Sequence, residues 1–275
     1  MPNVRISGIG IISSAGSTYT DFLNIIQQNH CCVNQITLFP VNCNCEYAGE
    51  IGEYEWKSKC FSKQTYADRT TEICVIAMRE ALDNAGYHIP VSHSDNAIGL
   101  CFGTSWGSLN SAEKFFGPLA SGKPKTVSSL VFSHSYPNCP ASFCAIEFGL
   151  RGYSTVFFGD DRAGWWALES AVDAIRSGTS LRMIAGAAES LSPALWSYFE
   201  SIGKLPNTTT TDDITTFSSS CPGEAAVFFA LEATDKDSDD FTFPSESVDF
   251  LFGNTGSASP LLALAKRYSI SKGVC

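Results

Sequence analysis

Five short strand-like runs rich in apolar residues recur along the chain, at Val4–Ile12, Ala97–Phe102, Tyr153–Phe158, Leu181–Ala185 and Ala225–Leu231. Between them lie stretches in which apolar positions return every three or four residues, at Asp21–Gln28, Thr70–Asn84, Ala141–Leu150, Gly164–Ser177 and Pro193–Ile202. The first pattern predicts strands and the second predicts helices. Their alternation predicts an α/β protein. The first strand and the helix over 164–175 are apolar on nearly every face, which predicts a central layer covered on both sides.

Two stretches break the pattern. Residues 205–222 turn polar, with Thr208-Thr209-Thr210-Thr211-Asp212-Asp213 and Ser218-Ser219-Ser220, and predict an exposed loop. After a second polar stretch at Asp235–Asp240 come a short strand at Ser247–Phe252, a Gly/Ser turn and one short helix at Leu261–Lys266. The C-terminal part therefore reads as abbreviated.

Composition narrows the picture. With 275 residues, 44% hydrophobic and 17% charged, the chain is long and apolar enough to bury a sizeable core. A net charge of −10 disfavours direct nucleic-acid binding, because phosphate backbones are repelled. No apolar run reaches transmembrane length, so no membrane insertion is expected. The first residues, Met1-Pro2-Asn3-Val4-Arg5, do not read as a signal peptide. Of the 11 cysteines, Cys74, Cys101, Cys139 and Cys144 lie inside apolar runs, where reduced thiols behave as hydrophobes. A reducing cytoplasm is the expected location.

Several segments could carry chemistry. Gly159-Asp160-Asp161-Arg162-Ala163-Gly164 turns from a strand into a helix, so the first helical residues face a cleft beside free backbone N–H groups. The two aspartates read either as an acid–base pair or as helix caps, and capping is the expectation. Gly103-Thr104-Ser105-Trp106-Gly107 has the G-x-S-x-G form of a nucleophile elbow. His134 is the only later histidine and Glu113 the only acid between it and Ser105, a spacing too short for a hydrolase triad. Cys31-Cys32 and Cys43-x-Cys45 near His30 lack the repeated spacing of a zinc site, and no metal is expected. His134 itself reads as a loop residue at a cleft.

In order along the chain, further segments carry a resemblance. They include Val4-Arg5-Ile6-Ser7-Gly8-Ile9-Gly10, Asp68-Arg69 leading to Ala81-Leu82-Asp83-Asn84-Ala85-Gly86, and Ile98-Gly99-Leu100-Cys101-Phe102-Gly103-Thr104-Ser105. Then come Pro137-Asn138-Cys139-Pro140-Ala141 to Gly149-Leu150-Arg151-Gly152, Ala171 to Gly178, Ala185-Gly186-Ala187-Ala188-Glu189 and Pro222-Gly223-Glu224-Ala225-Ala226. Their ordered series resembles the β-ketoacyl synthase branch of the thiolase superfamily up to about Ala233.

The resemblance implies a layered α-β-α thiolase-like fold, with a complete N-terminal half over 1–234 and an abbreviated remnant of the C-terminal half over 235–275. It places Asp161, or Asp160 if the register slips, where the family carries its acyl-accepting cysteine. It places Asn254, in Gly253-Asn254-Thr255-Gly256, where the family carries a catalytic histidine. Loss of these groups resembles a chain-length factor, an inactive relative paired with an active ketosynthase, as in aryl-polyene and type II polyketide systems. That reading implies a ketosynthase partner, an acyl carrier protein bound mainly by that partner, and no cofactor. It puts Phe132, His134, Tyr136, Tyr153, Phe157 and Phe158 at the dimer face or the partner's tunnel. Trp165 and Trp166 would plug this chain's own pocket. Decarboxylase or hydrolase activity through Asp161 or Ser105, and a structural homodimer, are the alternatives.

Overall fold

The computed structural model describes residues 1–43, 45–91, 97–207 and 214–274. In chain order the elements are β1 (Asn3–Ser13), α1 (Tyr19–Gln28), β2 (Asn34–Gln35), β3 (Tyr47–Ala48), α2 (Arg69–Asn84), β4 (Gly99–Thr104), α3 (Leu109–Ala120), α4 (Ser129–Ser133) and α5 (Cys139–Phe148). There follow β5 (Ser154–Phe158), α6 (Ala163–Arg176), β6 (Arg182–Glu189), α7 (Pro193–Ser201), α8 (Ile214–Ser220), β7 (Ala225–Thr234), α9 (Asp249–Phe252) and α10 (Ser259–Ser271).

Five strands form one mixed sheet in the order β1-β7-β6-β4-β5. β4 runs parallel to both β5 and β6, and β7 runs antiparallel to β6 and β1. Side chains alternate across the pleat, so neighbouring apolar residues enter different cores. Phe229 and Val227 pack with Trp165, Leu168 and Ala171 of α6, whereas Phe228 and Ala230 pack with Ile73 and Met78 of α2. Burial on both faces explains why these strands read as unbroken apolar runs. Gly10 lets β1 lie directly on α2, since a Cβ there would strike the Ala77 carbonyl and the Ala81 nitrogen.

Two edges of the sheet differ. Along β1 the outer backbone groups are covered: Asp239 accepts the Ile6 N–H at 2.7 Å, and its own N–H donates to the Val4 carbonyl at 2.9 Å. Lys272 from the end of α10 holds the same Asp239 carboxylate at 2.9 Å. β5, at the other edge, has a paired neighbour on one side alone among the described residues. Leu100 N–H donates to the Tyr153 carbonyl and Gly159 N–H to the Thr104 carbonyl, so residues 153, 155, 157 and 159 face β4. The backbone groups of Ser154, Val156 and Phe158 therefore face outward.

Residues 247–252 are expected as a strand, but Asp249–Phe252 form α9 instead. Ser247 Oγ accepts the Asp249 N–H at 3.0 Å and starts the turn, while Leu251 and Phe252 drop into the core beside Phe22. Residues 205–222, expected as loop throughout, contain α8, whose hydroxyls donate back to the helix: Ser219 and Ser220 reach the Thr215 and Thr216 carbonyls. Thr208–Asp213 lie outside the described residues. α3 carries Pro118 within it. Beyond residue 234, Val248, Leu251, Leu261 and Leu264 share one core with Val227 and Leu168.

Candidate functional site

The turn between β5 and α6 is built by short-range bonds. Gly159 takes φ +101°, open to glycine without strain, and Asp160 Oδ1 accepts the Arg162 N–H at 2.7 Å. The helix N-cap is Arg162, without a side-chain cap, so Asp160 bonds the turn one step before the helix and Asp161 does not cap it. This corrects the expected double cap. The Asp161 carboxylate instead lies 3.2 Å from the Ser105 hydroxyl, which also reaches the Asp160 carbonyl at 3.2 Å and accepts the Ser257 N–H at 3.1 Å.

Close backbone approach sets where α6 begins. A Cβ on Gly103 would strike Ala163 and Gly164, and a Cβ on Gly164 would strike the Ser257 carbonyl. Three distant segments, at 103–105, 160–164 and 256–257, are thereby pressed together.

Behind them sits Glu189, fully buried at the end of β6. It accepts N–H bonds from Ser105 and from Trp106 (3.2 Å) and hydroxyl bonds from Thr104 (3.2 Å) and Ser257. Burial pushes its carboxyl up to about 7, against the opposing pull of those donors. A second buried carboxylate, Glu224, is gripped by Arg69 and accepts the N–H groups of Ile51 (3.0 Å) and Leu191 (2.8 Å). Neither glutamate was singled out as a site from the sequence; each appeared there inside a family-like segment.

In front opens a cleft of about 530 Å³, solvent included, lined by Asp161, Asn254, Glu189, Trp106, Phe199 and Lys204 among others. The structure thus brings Asp161 and Asn254 to the same cleft. Among the described residues, no cysteine or histidine lines it. Asn254 is held as a turn: its Oδ1 accepts the Gly256 N–H at 2.9 Å and its own N–H donates to the Cys221 carbonyl at 2.7 Å.

The remaining site residues divide. Phe132 and Tyr136 are exposed, the latter by 51%, and their rings meet at 5.3 Å with Phe115 against Phe132 at 4.8 Å. His134, between them in sequence, turns inward instead. It is 9% exposed, packs edge-on to Tyr66 at 5.3 Å, and its Nδ1 lies 3.6 Å from Cys139 Sγ. Burial lowers its pKa, and it does not line the cleft.

Tyr153 and Phe158 are exposed on the open edge strand, with Phe157 half-buried beside Trp166. The two indoles do not share one space, which corrects the joint plug. Trp165 is 2% exposed and meets Phe243 edge-on at 5.1 Å, whereas Trp166 is 36% exposed on the β5 side. Successive helical residues rotate by about 100°, and that rotation separates them. Among the described residues, no three metal-capable side chains converge, and no helix is long and apolar enough to cross a membrane.

The chain is similar to known proteins in sequence and in fold. The chain is 24% identical over 205 residues to 3-oxoacyl-[acyl-carrier-protein] synthase 2 of Synechocystis sp., covering 74% of this chain and 49% of that one. It is 25% identical over 210 residues to the tetracenomycin polyketide synthase ketoacyl synthase alpha subunit of Streptomyces glaucescens, covering 72% and 49%. The chain therefore spans about half the length of the curated relatives it matches.

Among solved structures, the ishigamide ketosynthase/chain length factor superposes with a TM-score of 0.74 at 21% identity, covering 85% of this chain and 59% of that one. A β-ketoacyl synthase from Burkholderia phymatum gives 0.70 at 21% identity, covering 86% and 60%. These likenesses show the thiolase-like fold. The model of the β-ketoacyl synthase N-terminal domain matches residues 1–236, and the chain belongs to the β-ketoacyl synthase family.

Proposed function

We propose that the chain is a non-catalytic, chain-length-factor-like subunit that pairs with an active β-ketoacyl synthase and shapes its acyl tunnel. The observation that carries this is the cleft at the start of α6, where Asp161 and Asn254 stand and, among the described residues, no thiol or imidazole lines the wall. A thiolate at a helix N-terminus is the group that accepts an acyl chain in this chemistry. A carboxylate there carries a like charge to the oxyanion that forms on thioester attack, so it opposes the step.

The partner surface is supported separately. The β5 edge offers unpaired backbone groups, with Tyr153 and Phe158 exposed along it, while the β1 edge is closed by Asp239. The exposed Phe132 and Tyr136 supply an aromatic contact for a partner's tunnel. Acyl carrier protein then docks on the active subunit. Co-expression with candidate ketosynthases tests the reading: a stoichiometric heterodimer with activity in the complex supports it, and a stable monomer that turns over thioesters alone overturns it.

A hydrolase reading rests on the 3.2 Å contact between Ser105 and Asp161. Among the described residues Ser105 has no histidine to take its proton; it is 5% exposed and is tied to Ser257 and Asp160. Its bonds describe a turn anchor. Loss of activity from the isolated chain on Ser105→Ala would favour the hydrolase over the subunit.

A further inference from the structure

Among the described residues no strand pairs with the outer edge of β1, yet its backbone groups are occupied one after another. Val4 N–H donates to Ser238 Oγ at 3.3 Å, and the Val4 carbonyl accepts from Ser238 Oγ at 3.0 Å and from Asp239 N–H at 2.9 Å. Ile6 N–H donates to Asp239 Oδ2 at 2.7 Å, and the Ile6 carbonyl accepts the Tyr268 hydroxyl at 3.2 Å. Beyond the register shift between Ile6 and Gly8, Asn84 Nδ2 donates to the Ile9 carbonyl at 2.7 Å and Glu80 Oε2 accepts the Ile11 N–H at 2.9 Å.

The caps on the two halves of this edge differ in kind. Glu80 and Asn84 sit on α2, which packs on the sheet, so the half at Ile9 and Ile11 is closed by the core layer itself. Ser238 and Asp239 sit on the segment that leaves β7, and that segment is fastened from α10. Lys272 Nζ donates to Asp239 Oδ1 at 2.9 Å, and Arg267 Nη2 donates to the Asp240 and Thr242 carbonyls at 3.1 and 2.8 Å. The Asp239 carboxylate thus takes a backbone N–H on one oxygen and an ammonium on the other. Such charge-assisted bonds are about twice as strong as neutral ones, so one side chain holds the half at Val4 and Ile6 shut.

We propose that residues 236–242 guard a second strand-docking edge, and that the occupant of that edge, once Asp239 lets go, is β5 of another copy of this chain. The spacing of the two edges matches. Val4 and Ile6 present outward groups two residues apart, and Ser154, Val156 and Phe158 present theirs on β5 at the same interval. A row of alternating N–H and C=O groups is satisfied by another such row, and β5 offers one. The guard offers none. It meets β1 largely through side chains, and Asp235-Lys236-Asp237-Ser238-Asp239-Asp240 places charges where a further strand would lie.

Symmetry gives the guard its consequence. Two β5 edges meet through the same surface on both copies, so that contact is two-fold and stops at a pair. Contact between a β1 edge and a β5 edge joins unlike surfaces and leaves one of each free at the ends, so copies add head to tail without closing. The guard therefore confines the chain to finite complexes built through β5. This inference shares the open β5 edge with the function proposed above, but it needs no ketosynthase and is tested without one.

Size-exclusion chromatography with light scattering on the isolated chain is the test. Wild type is expected to form nothing larger than the pair that two β5 edges make. Asp239→Ala should give a series of larger species that grows with concentration, and adding Val156→Pro should abolish them, because the docking strand loses its donor. Asp239→Asn keeps an oxygen for the Ile6 N–H and should match wild type. Wild-type size in an Asp239→Ala chain that is folded by circular dichroism overturns the proposal, as do larger species that survive Val156→Pro. If Asp239→Ala does not fold, Lys272→Ala decides: it frees the carboxylate from α10 and should give the same species at higher concentration, and wild-type size there overturns the proposal. Failure to bind any ketosynthase would overturn the proposed function and leave these sizes unchanged.

Discussion

Arg69 holds the buried carboxylate of Glu224 with two bonds of 2.7 Å, Nε to Oε1 and Nη2 to Oε2, and with the same Nη2 bonds the Ile51 carbonyl at 2.9 Å. The pair joins the start of α2 to the entrance of β7, next to Leu191 of the cleft wall. Removing one partner leaves the other charge buried. Arg69→Ala is expected to destabilise the fold by about 3–5 kcal/mol, read as a lower midpoint in urea unfolding. An unchanged midpoint would show that Glu224 finds other partners.

Glu189 makes stability depend on pH with a defined sign. Its folded pKa of about 7 lies above its ordinary value of 4.5, so the folded state holds the proton more tightly than the unfolded chain. Its contribution is fully present below pH 4.5 and is lost as pH rises through about 7. The loss is of order 3 kcal/mol. Glu189→Gln should flatten that part of the stability–pH curve relative to wild type, measured by denaturation at a series of pH values. Identical slopes in the two proteins would remove Glu189 as the cause.

The open edge of β5 can be blocked with one residue. The Val156 N–H faces away from β4, so Val156→Pro leaves the β4 ladder intact and removes a donor that an added strand needs. The expected outcome is loss of the complex with a ketosynthase partner in size-exclusion chromatography, while the isolated chain stays folded by circular dichroism. Val156→Ala serves as the packing control and should retain the complex. Retention by the proline variant would place the interface elsewhere.

Phe132 and Tyr136 test the tunnel. Either changed to Ala removes an exposed ring from the aromatic group at α4. The complex should then release products of altered length, resolved by mass spectrometry, with assembly unchanged. His134→Ala, by contrast, empties a buried position beside Tyr66 and should lower Tm before it alters products.

Much of the fold was legible from periodicity. The five strands of the main sheet and the helices over Arg69–Asn84 and Ala163–Arg176 fall where apolar runs and three-to-four-residue repeats predicted them. α9 was not legible, since Asp249–Phe252 is too short for a helical repeat and its four residues resemble a strand. α8 was hidden because its serines and threonines satisfy their hydroxyls on the helix's own carbonyls, a choice that composition does not announce. The direction of His134 depends on Tyr66 and Phe143, more than local sequence away or on another turn, and so could not be read from Ser133-His134-Ser135.

By itself, the sequence determined the alternation of strands and helices, the two-faced burial of the sheet, and the presence of Asp161 and Asn254 in family-like segments. Those properties depend on residues within a turn or two, where sterics and burial act locally. Tertiary structure decided which distant groups meet: Asp161 with Ser105, Glu189 with Ser257, Gly49 with Pro222. It also sent Trp165 into the core and Trp166 outward. The reason is that strand order and helix rotation, set by packing across the whole chain, fix the direction of each side chain after the local pattern has fixed only its element.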